Sequence, residues 1–111
     1  MRYRISGTVI KGDGYGRKLG FPTVNLDLGA ETEDLPEEGV YSGTVMLDGK
    51  EYRAGIVVGP DDKMEAHLMG YNEDAYGKRV IFKIDKFLRK YKKFKNEKEL
   101  ITQIEKDLKM C

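Results

Sequence analysis

The dipeptide Asp48-Gly49, placed between two β-rich runs, is the feature that most constrains the fold of this chain. GVYSGTVML precedes it and KEYRAGIVVG follows it, and both runs are rich in residues that favour strands. Asp-Gly is typical of the two-residue turn that joins paired antiparallel strands, because its backbone twist matches theirs. The stretch therefore predicts a tight β-hairpin.

Four further segments have the apolar alternation or β-favouring composition of strands, and they are residues 2–10, 25–28, 64–69 and 79–87. Near the C-terminus, the spacing of the apolar residues changes from that of a strand to that of a helix. Asn96 and Glu99 have the spacing of a capping box, and Leu100, Ile104 and Leu108 repeat at helical intervals behind them. About six strands followed by one helix favour an all-β fold, a small six-stranded antiparallel barrel, closed or nearly closed, with a C-terminal α-helix.

Length, charge and cysteine content restrict the class of protein. A chain of 111 residues with 40% hydrophobic content can bury one modest core, so a single domain over residues 1–111 is predicted. Twenty Lys and Arg against 19 Asp and Glu leave a net charge of +1, so neither nucleic acid nor a membrane is the expected partner. The single cysteine, Cys111, excludes an intrachain disulfide framework. The sequence has neither an apolar signal peptide nor an apolar run long enough to span a membrane, so a cytoplasmic protein is expected. A monomer is the expected oligomeric state.

The stretch GDGYGRKLGFPTVN, residues 12–25, carries the densest set of ligand-binding groups. Its glycines can present backbone N–H groups to an anion, and Lys18 adds a cation. Thr23 and Asn25 alternate along an extended segment, so their oxygens share one side and suit Mg²⁺. From the residues alone, two interpretations stay open: a phosphate and metal site, or an ordinary turn whose polar side chains satisfy the backbone.

Five motifs in order resemble riboflavin kinases of the bacterial and eukaryotic type. GRKLGFPTVN is similar to the family's glycine loop and Gly-Phe-Pro-Thr-Ala-Asn segment. EEGVYSGTV, MEAHLM and AYGKRVIF resemble three of its strands, and FLRKYKKFKNEKELITQIEKD resembles the loop that leads into its closing helix. The resemblance covers nearly the whole chain, and the family's six-stranded barrel agrees with the outline drawn from periodicity.

The resemblance implies transfer of the γ-phosphoryl group of ATP to the 5′-hydroxyl of riboflavin, giving FMN and ADP, with Mg²⁺ or another divalent cation as cofactor. It implies Glu65 as the base that accepts the hydroxyl proton, and Arg89 as a cation facing the developing negative charge. The other implied roles are metal binding by Thr23 and Asn25, and nucleotide binding by the same two residues with Gly14, Gly16, Lys18, Gly20 and Pro22.

Other interpretations accompany this one. On residues alone, Glu65 is an outward, solvated carboxylate and Arg89 belongs to a solvated basic run. His67 is given no catalytic role, and Tyr41 is interpreted as a barrel-wall aromatic. The alternative function is a non-catalytic flavin- or nucleotide-binding barrel, and a third is an oligonucleotide-binding barrel that uses residues 86–95. Since no adenylyltransferase segment precedes the barrel, FMN is the expected end product.

Overall fold

A computed structural model describes residues 3–10, 23–27, 36–60, 63–71, 73 and 75–111. The elements are β1 (Tyr3–Ile10), β2 (Val24–Asp27), β3 (Gly39–Leu47), β4 (Lys50–Val58), β5 (Met64–Leu68), β6 (Arg79–Arg89) and α1 (Glu97–Lys109). All neighbouring strands are antiparallel, and they close into a barrel in the order β1-β2-β5-β4-β3-β6. The predicted six-stranded barrel with a C-terminal helix is confirmed.

The predicted hairpin joins β3 to β4. Its register runs without interruption from Leu47 opposite Lys50 to Gly39 opposite Val58. Asp48 and Gly49 have φ values of 51° and 78°, the left-handed conformation that this turn requires at both positions. Asp48 also forms an ion pair with Lys78, which precedes β6.

The barrel interior is filled by alternate residues of all six strands. The largest fully buried side chains are Tyr41, Phe82, Leu47, Ile56, Met64 and Ile84. Tyr41 is therefore the barrel-wall aromatic that its strand predicted, and its hydroxyl donates to the Glu37 carbonyl at 2.7 Å. Burial, with smaller contributions from Glu37 and Tyr3, raises the pKa of the Tyr41 phenol.

Strand β6 is two residues longer than predicted and ends at Arg89 rather than Phe87. Two register shifts in its pairing with β3, at Val40/Tyr41 and at Ser42/Gly43, allow the ladder to continue to Arg89 opposite Val40. A Cβ at Gly43 would lie 2.1 Å from the Lys83 carbonyl oxygen, so only glycine permits this approach. Arg89 therefore belongs to the sheet and not to the loop that the family motif implied.

Helix α1 lies against the outer face of the barrel. Asn96 caps it, with Oδ1 accepting from the Glu99 amide at 2.9 Å, as the sequence predicts. A methyl group built at Gly55 on β4 would lie 3.2 Å from Leu108 Cδ2, which shows how closely the C-terminal half of the helix approaches the sheet. Within the described ranges, no helix has the length and apolar character needed to cross a bilayer.

Candidate active site

A row of outward-facing residues crosses five neighbouring strands. Asn25 on β2 lies opposite Glu65 on β5, and Glu65 lies opposite Val57 on β4. The row continues through Val40 on β3 to Arg89 on β6. The strand residues that flank Asn25 and Glu65 point into the barrel core and are buried. The alternation of β2 and β5 therefore fixes these polar side chains on the outer surface.

Thr23 and Glu65 are in direct contact. Thr23 Oγ1 donates to Glu65 Oε2 at 3.4 Å, in a partly buried position. With Asn25 paired to Glu65 across the strands, a hydroxyl, an amide and a carboxylate converge on one patch. Two sequence motifs separated by about forty residues thus lie side by side on the barrel surface.

These oxygens suit a divalent metal. Mg²⁺ prefers hard oxygen ligands and is commonly held by one or two protein oxygens together with nucleotide phosphates and waters. Thr23 and Asn25 supply such oxygens at the edge of the barrel, and a hydroxyl that donates one hydrogen bond keeps lone pairs for a metal. Among the described residues, no group of three or more His, Cys, Asp and Glu side chains is placed to hold a metal.

A cleft of about 620 Å³ lies between this surface and helix α1. Val40 and Val57 form its sheet wall, and Leu100, Ile104 and Leu108 form its helix wall. The apolar face of the helix, which the spacing of these three residues predicted, thus lines a cavity. A space of this size between apolar walls fits a small planar ligand.

Polar groups surround this apolar space. Thr23, Glu65 and His67 lie on the β5 side, whereas Arg89 and Asp107 lie on the β6 and α1 side. His67, which the sequence analysis left without a role, is half-buried on the same strand face as Glu65. The cleft therefore places an apolar centre between an oxygen-rich rim and a charged rim.

Arg89 does not contact the Thr23–Glu65 patch. Strands β5 and β6 are three places apart around the closed six-stranded barrel. The Arg89 guanidinium pairs instead with Asp107, with Nη2 2.8 Å from Oδ2 and Nε 3.0 Å from Oδ1. The structure brings Thr23, Asn25 and Glu65 together and places Arg89 on the opposite wall of the same cleft.

Asp107 and Gln103 share the inward face of α1 with Ile104, and neither was predicted from the sequence to be a site residue. Gln103 Nε2 donates to Asp107 Oδ1 at 2.9 Å. The available signal was the presence of two polar residues, four positions apart, on the apolar stripe. Such a pair on a buried face indicates hydrogen bonding within that face.

The glycine-loop predictions lie outside the described residues. These are the nucleotide-binding roles of Gly14, Gly16, Lys18, Gly20 and Pro22. They stay predictions.

Comparison with protein families finds a match to the riboflavin kinase (flavokinase) family over residues 1–111. The bifunctional riboflavin kinase/FMN adenylyltransferase of Bacillus subtilis (strain 168) is 35% identical over 115 residues, covering 95% of this chain and 36% of that protein. The protein of the same name from Escherichia coli (strain K12) is 33% identical, covering 95% of this chain and 36% of its own length. The chain thus spans about a third of the length of these relatives.

Two solved structures share the fold. A macrolide-efflux protein from Streptococcus pneumoniae superposes with a TM-score of 0.87 at 30% identity, over 96% of this chain and 37% of that one. Riboflavin kinase from Trypanosoma brucei superposes with a TM-score of 0.74 at 21% identity, over 98% and 76% of the two chains. At 21% identity, the likeness to the Trypanosoma brucei structure shows a shared fold only.

Proposed function

The chain belongs to the riboflavin kinase family, and on that premise we propose that it transfers the γ-phosphoryl group of ATP to the 5′-hydroxyl of riboflavin. The products are FMN and ADP. The observation that carries the proposal is the contact of Thr23 with Glu65 at the rim of an apolar cleft. Thr23 and Glu65 both line this cleft, and their hydroxyl and carboxylate support the roles of metal ligand and proton acceptor beside a space that suits a flavin ring.

Glu65 accepts the proton of the ribityl 5′-hydroxyl as its oxygen attacks the γ-phosphorus. The new O–P bond forms while the bond from the γ-phosphorus to the bridging oxygen of ADP breaks, and ADP leaves with that electron pair. The Thr23 hydroxyl donates to Glu65 Oε2 and so helps to orient the carboxylate. From the opposite wall of the same cleft, Arg89 would face the negative charge that develops on the transferred group, across the bound substrates.

Thr23 and Asn25 would hold Mg²⁺ or another divalent cation, which when bound neutralises charge on the nucleotide phosphates. Lys18 and the backbone around Gly14, Gly16 and Gly20 would receive the same phosphates, with Pro22 stiffening the segment. ATP as the donor rests on the family resemblance. Equal amounts of ATP and CTP offered side by side would identify the donor.

The isoalloxazine ring would lie between Val40 and Val57 of the sheet and the Leu100–Ile104 face of α1. These walls are apolar and line the same cleft as Glu65. A planar ring held there would direct its ribityl chain toward the polar rim. We further propose that residues 1–111 form one domain, that the protein is a monomer and that it acts in the cytoplasm.

The test is to incubate the pure protein with riboflavin, ATP and Mg²⁺ and to look for FMN by chromatography. Formation of FMN that depends on protein and on divalent metal is the expected result. Riboflavin binding without FMN formation would contradict the proposal and favour the non-catalytic flavin-binding barrel. Salt-sensitive binding to single-stranded oligonucleotides, with neither riboflavin binding nor FMN formation, would favour the oligonucleotide-binding barrel.

The structure offers a specific argument against the oligonucleotide interpretation. Phe94 is an aromatic of the basic segment that lines the cleft, and two cations lie close to its ring. The Arg89 guanidinium carbon lies 5.6 Å and Lys92 Nζ 5.4 Å from its centroid. A ring occupied by cations in this way is a poor platform for stacking bases.

A further inference from the structure

Asp107 is the only charged residue that is buried in the part of the chain that the structure describes. It is 8% exposed and lies on the cleft-facing side of α1. Its carboxylate accepts from Arg89 Nη2 at 2.8 Å, from Arg89 Nε at 3.0 and 3.2 Å, and from Gln103 Nε2 at 2.9 Å. A buried carboxylate persists only where partners of this kind compensate its desolvation.

Attachment of the helix does not by itself account for this ion pair. Leu108, the next residue, already packs over Gly55 of β4 in close apolar contact. An apolar side chain at position 107 would add to that contact without the desolvation cost of two charges. The pair instead lies where β6, α1 and the cleft meet, next to the residue proposed to face the reacting phosphoryl group.

The consequence of the pair is that Arg89 is held on three sides. Asp107 takes the Nε–Nη2 edge, the Lys90 carbonyl accepts from Nη1 at 3.0 Å, and the Phe94 ring lies 5.6 Å below the guanidinium carbon. A guanidinium has five N–H donors. Three of them are hydrogen-bonded to described residues, which leaves two for a ligand.

We propose that Asp107 is a positioning residue for phosphoryl transfer. It fixes Arg89 so that the remaining donors of the guanidinium are aligned before the substrates bind. This inference rests on the proposed kinase function. A cation that is already oriented needs no reorganisation as charge develops, whereas a freely rotating one does. In this role Asp107 acts through Arg89.

The test is a double-mutant cycle of Asp107→Asn and Arg89→Gln, with kcat and the KM for riboflavin measured for each variant. Asp107→Asn keeps the shape of the side chain but removes its charge, and we expect kcat to fall about 10- to 100-fold with KM for riboflavin changed less than about threefold. In the Arg89→Gln background, the same substitution has no cation to position. It should then change kcat by less than about twofold.

A purely structural role predicts a different pattern. It lowers the melting temperature of Asp107→Asn but changes kcat of the folded fraction by less than about twofold in either background. Either a kcat within about twofold of the parent or an undiminished loss in the Arg89→Gln background would overturn the proposal. Glu105→Gln, at an exposed position of the same helix, is the matched control and should behave as the parent.

Gln103→Met is the second variant, used if Asp107→Asn does not fold. It keeps the ion pair and removes only the amide that aligns the carboxylate. We expect a smaller loss of kcat, about threefold to tenfold, again absent in the Arg89→Gln background. A parent protein that binds riboflavin but forms no FMN would overturn the kinase function and this inference together, whereas an active parent with unaffected variants would overturn the inference alone.

Discussion

Glu65 distinguishes catalysis from binding at the scale of single residues. Gln is nearly isosteric with Glu, so Glu65→Gln preserves the strand and the contact with Thr23 while removing the proton acceptor. General bases contribute about 10² to 10⁴ in rate, and we expect kcat to fall by that factor. The riboflavin dissociation constant, measured without nucleotide, should change little.

Glu51→Gln is a matched control for that variant, because Glu51 is also a strand carboxylate but pairs with Lys83 on the exposed surface away from the cleft. It should retain parental turnover. If Glu65→Gln kept activity within a few-fold of the parent, Glu65 would not be the base. Asp61 and Asp62, which lie outside the described residues, would then be the next candidates.

The metal-binding prediction concerns Thr23 and Asn25. Alanine offers no oxygen, so Thr23→Ala and Asn25→Ala should lower turnover most strongly at limiting Mg²⁺, and added Mg²⁺ should restore part of it. The affinity for riboflavin, measured without nucleotide, should change less than turnover does. Mg²⁺ titrations of kcat for both variants test this, with Thr102→Ala on the exposed side of α1 as control. Full activity of both variants at limiting Mg²⁺ would show that these oxygens do not hold the metal.

At the scale of elements, the β3–β4 turn gives a stability prediction that is separate from catalysis. Gly49 has φ of 78°, and a methyl group there would meet nothing within 4 Å. Gly49→Ala therefore introduces conformational strain without a clash, and we expect a loss of about 1–2 kcal/mol in the free energy of unfolding, with kcat unchanged. Urea denaturation measures it. Gly49→Asn should lose less, because Asn tolerates this conformation, and an alanine variant as stable as the parent would be inconsistent with the turn.

Local pattern predicted most elements of the fold because their signals lie within a few residues. The Asp48-Gly49 turn needs two residues, and the cap of α1 needs Asn96 and Glu99. The extension of β6 to Arg89 was not predictable in this way, since it depends on register shifts opposite β3 and on the close approach at Gly43. Strand ends set by a partner strand leave no local signature.

Part of the candidate site was likewise predicted from the sequence and part was not. Thr23, Asn25 and Glu65 were grouped because the family motifs name them, and the pairing of β2 with β5 supplies the physical reason for their proximity. Asp107 was missed because a charged residue on an amphipathic helix is ordinarily solvated. Its burial depends on Arg89, which reaches it from another element.

At the scale of the whole molecule, the barrel and the helix differ in how they are held. Every strand of the barrel is paired on both sides, whereas the Leu100–Ile104 part of α1 faces the cleft. Ligand in the cleft should therefore slow amide hydrogen exchange in residues 97–104 more than in β3 and β4. Exchange measured by mass spectrometry with and without FMN tests this, and slowing can reach about 100-fold at a ligand concentration 100 times Kd. Equal protection of helix and barrel would place the ligand elsewhere.

Closure of the barrel also implies an order of events during folding. The β3–β4 hairpin joins neighbours in the sequence, whereas the β1–β6 seam places Tyr3 opposite Ile84. A contact across so long a loop carries a large entropic cost until the intervening strands are in place. We therefore expect the hairpin to form early and the seam to form late. Substitutions at the seam should mainly accelerate unfolding and those in the hairpin should slow folding, which stopped-flow measurement of both rates tests.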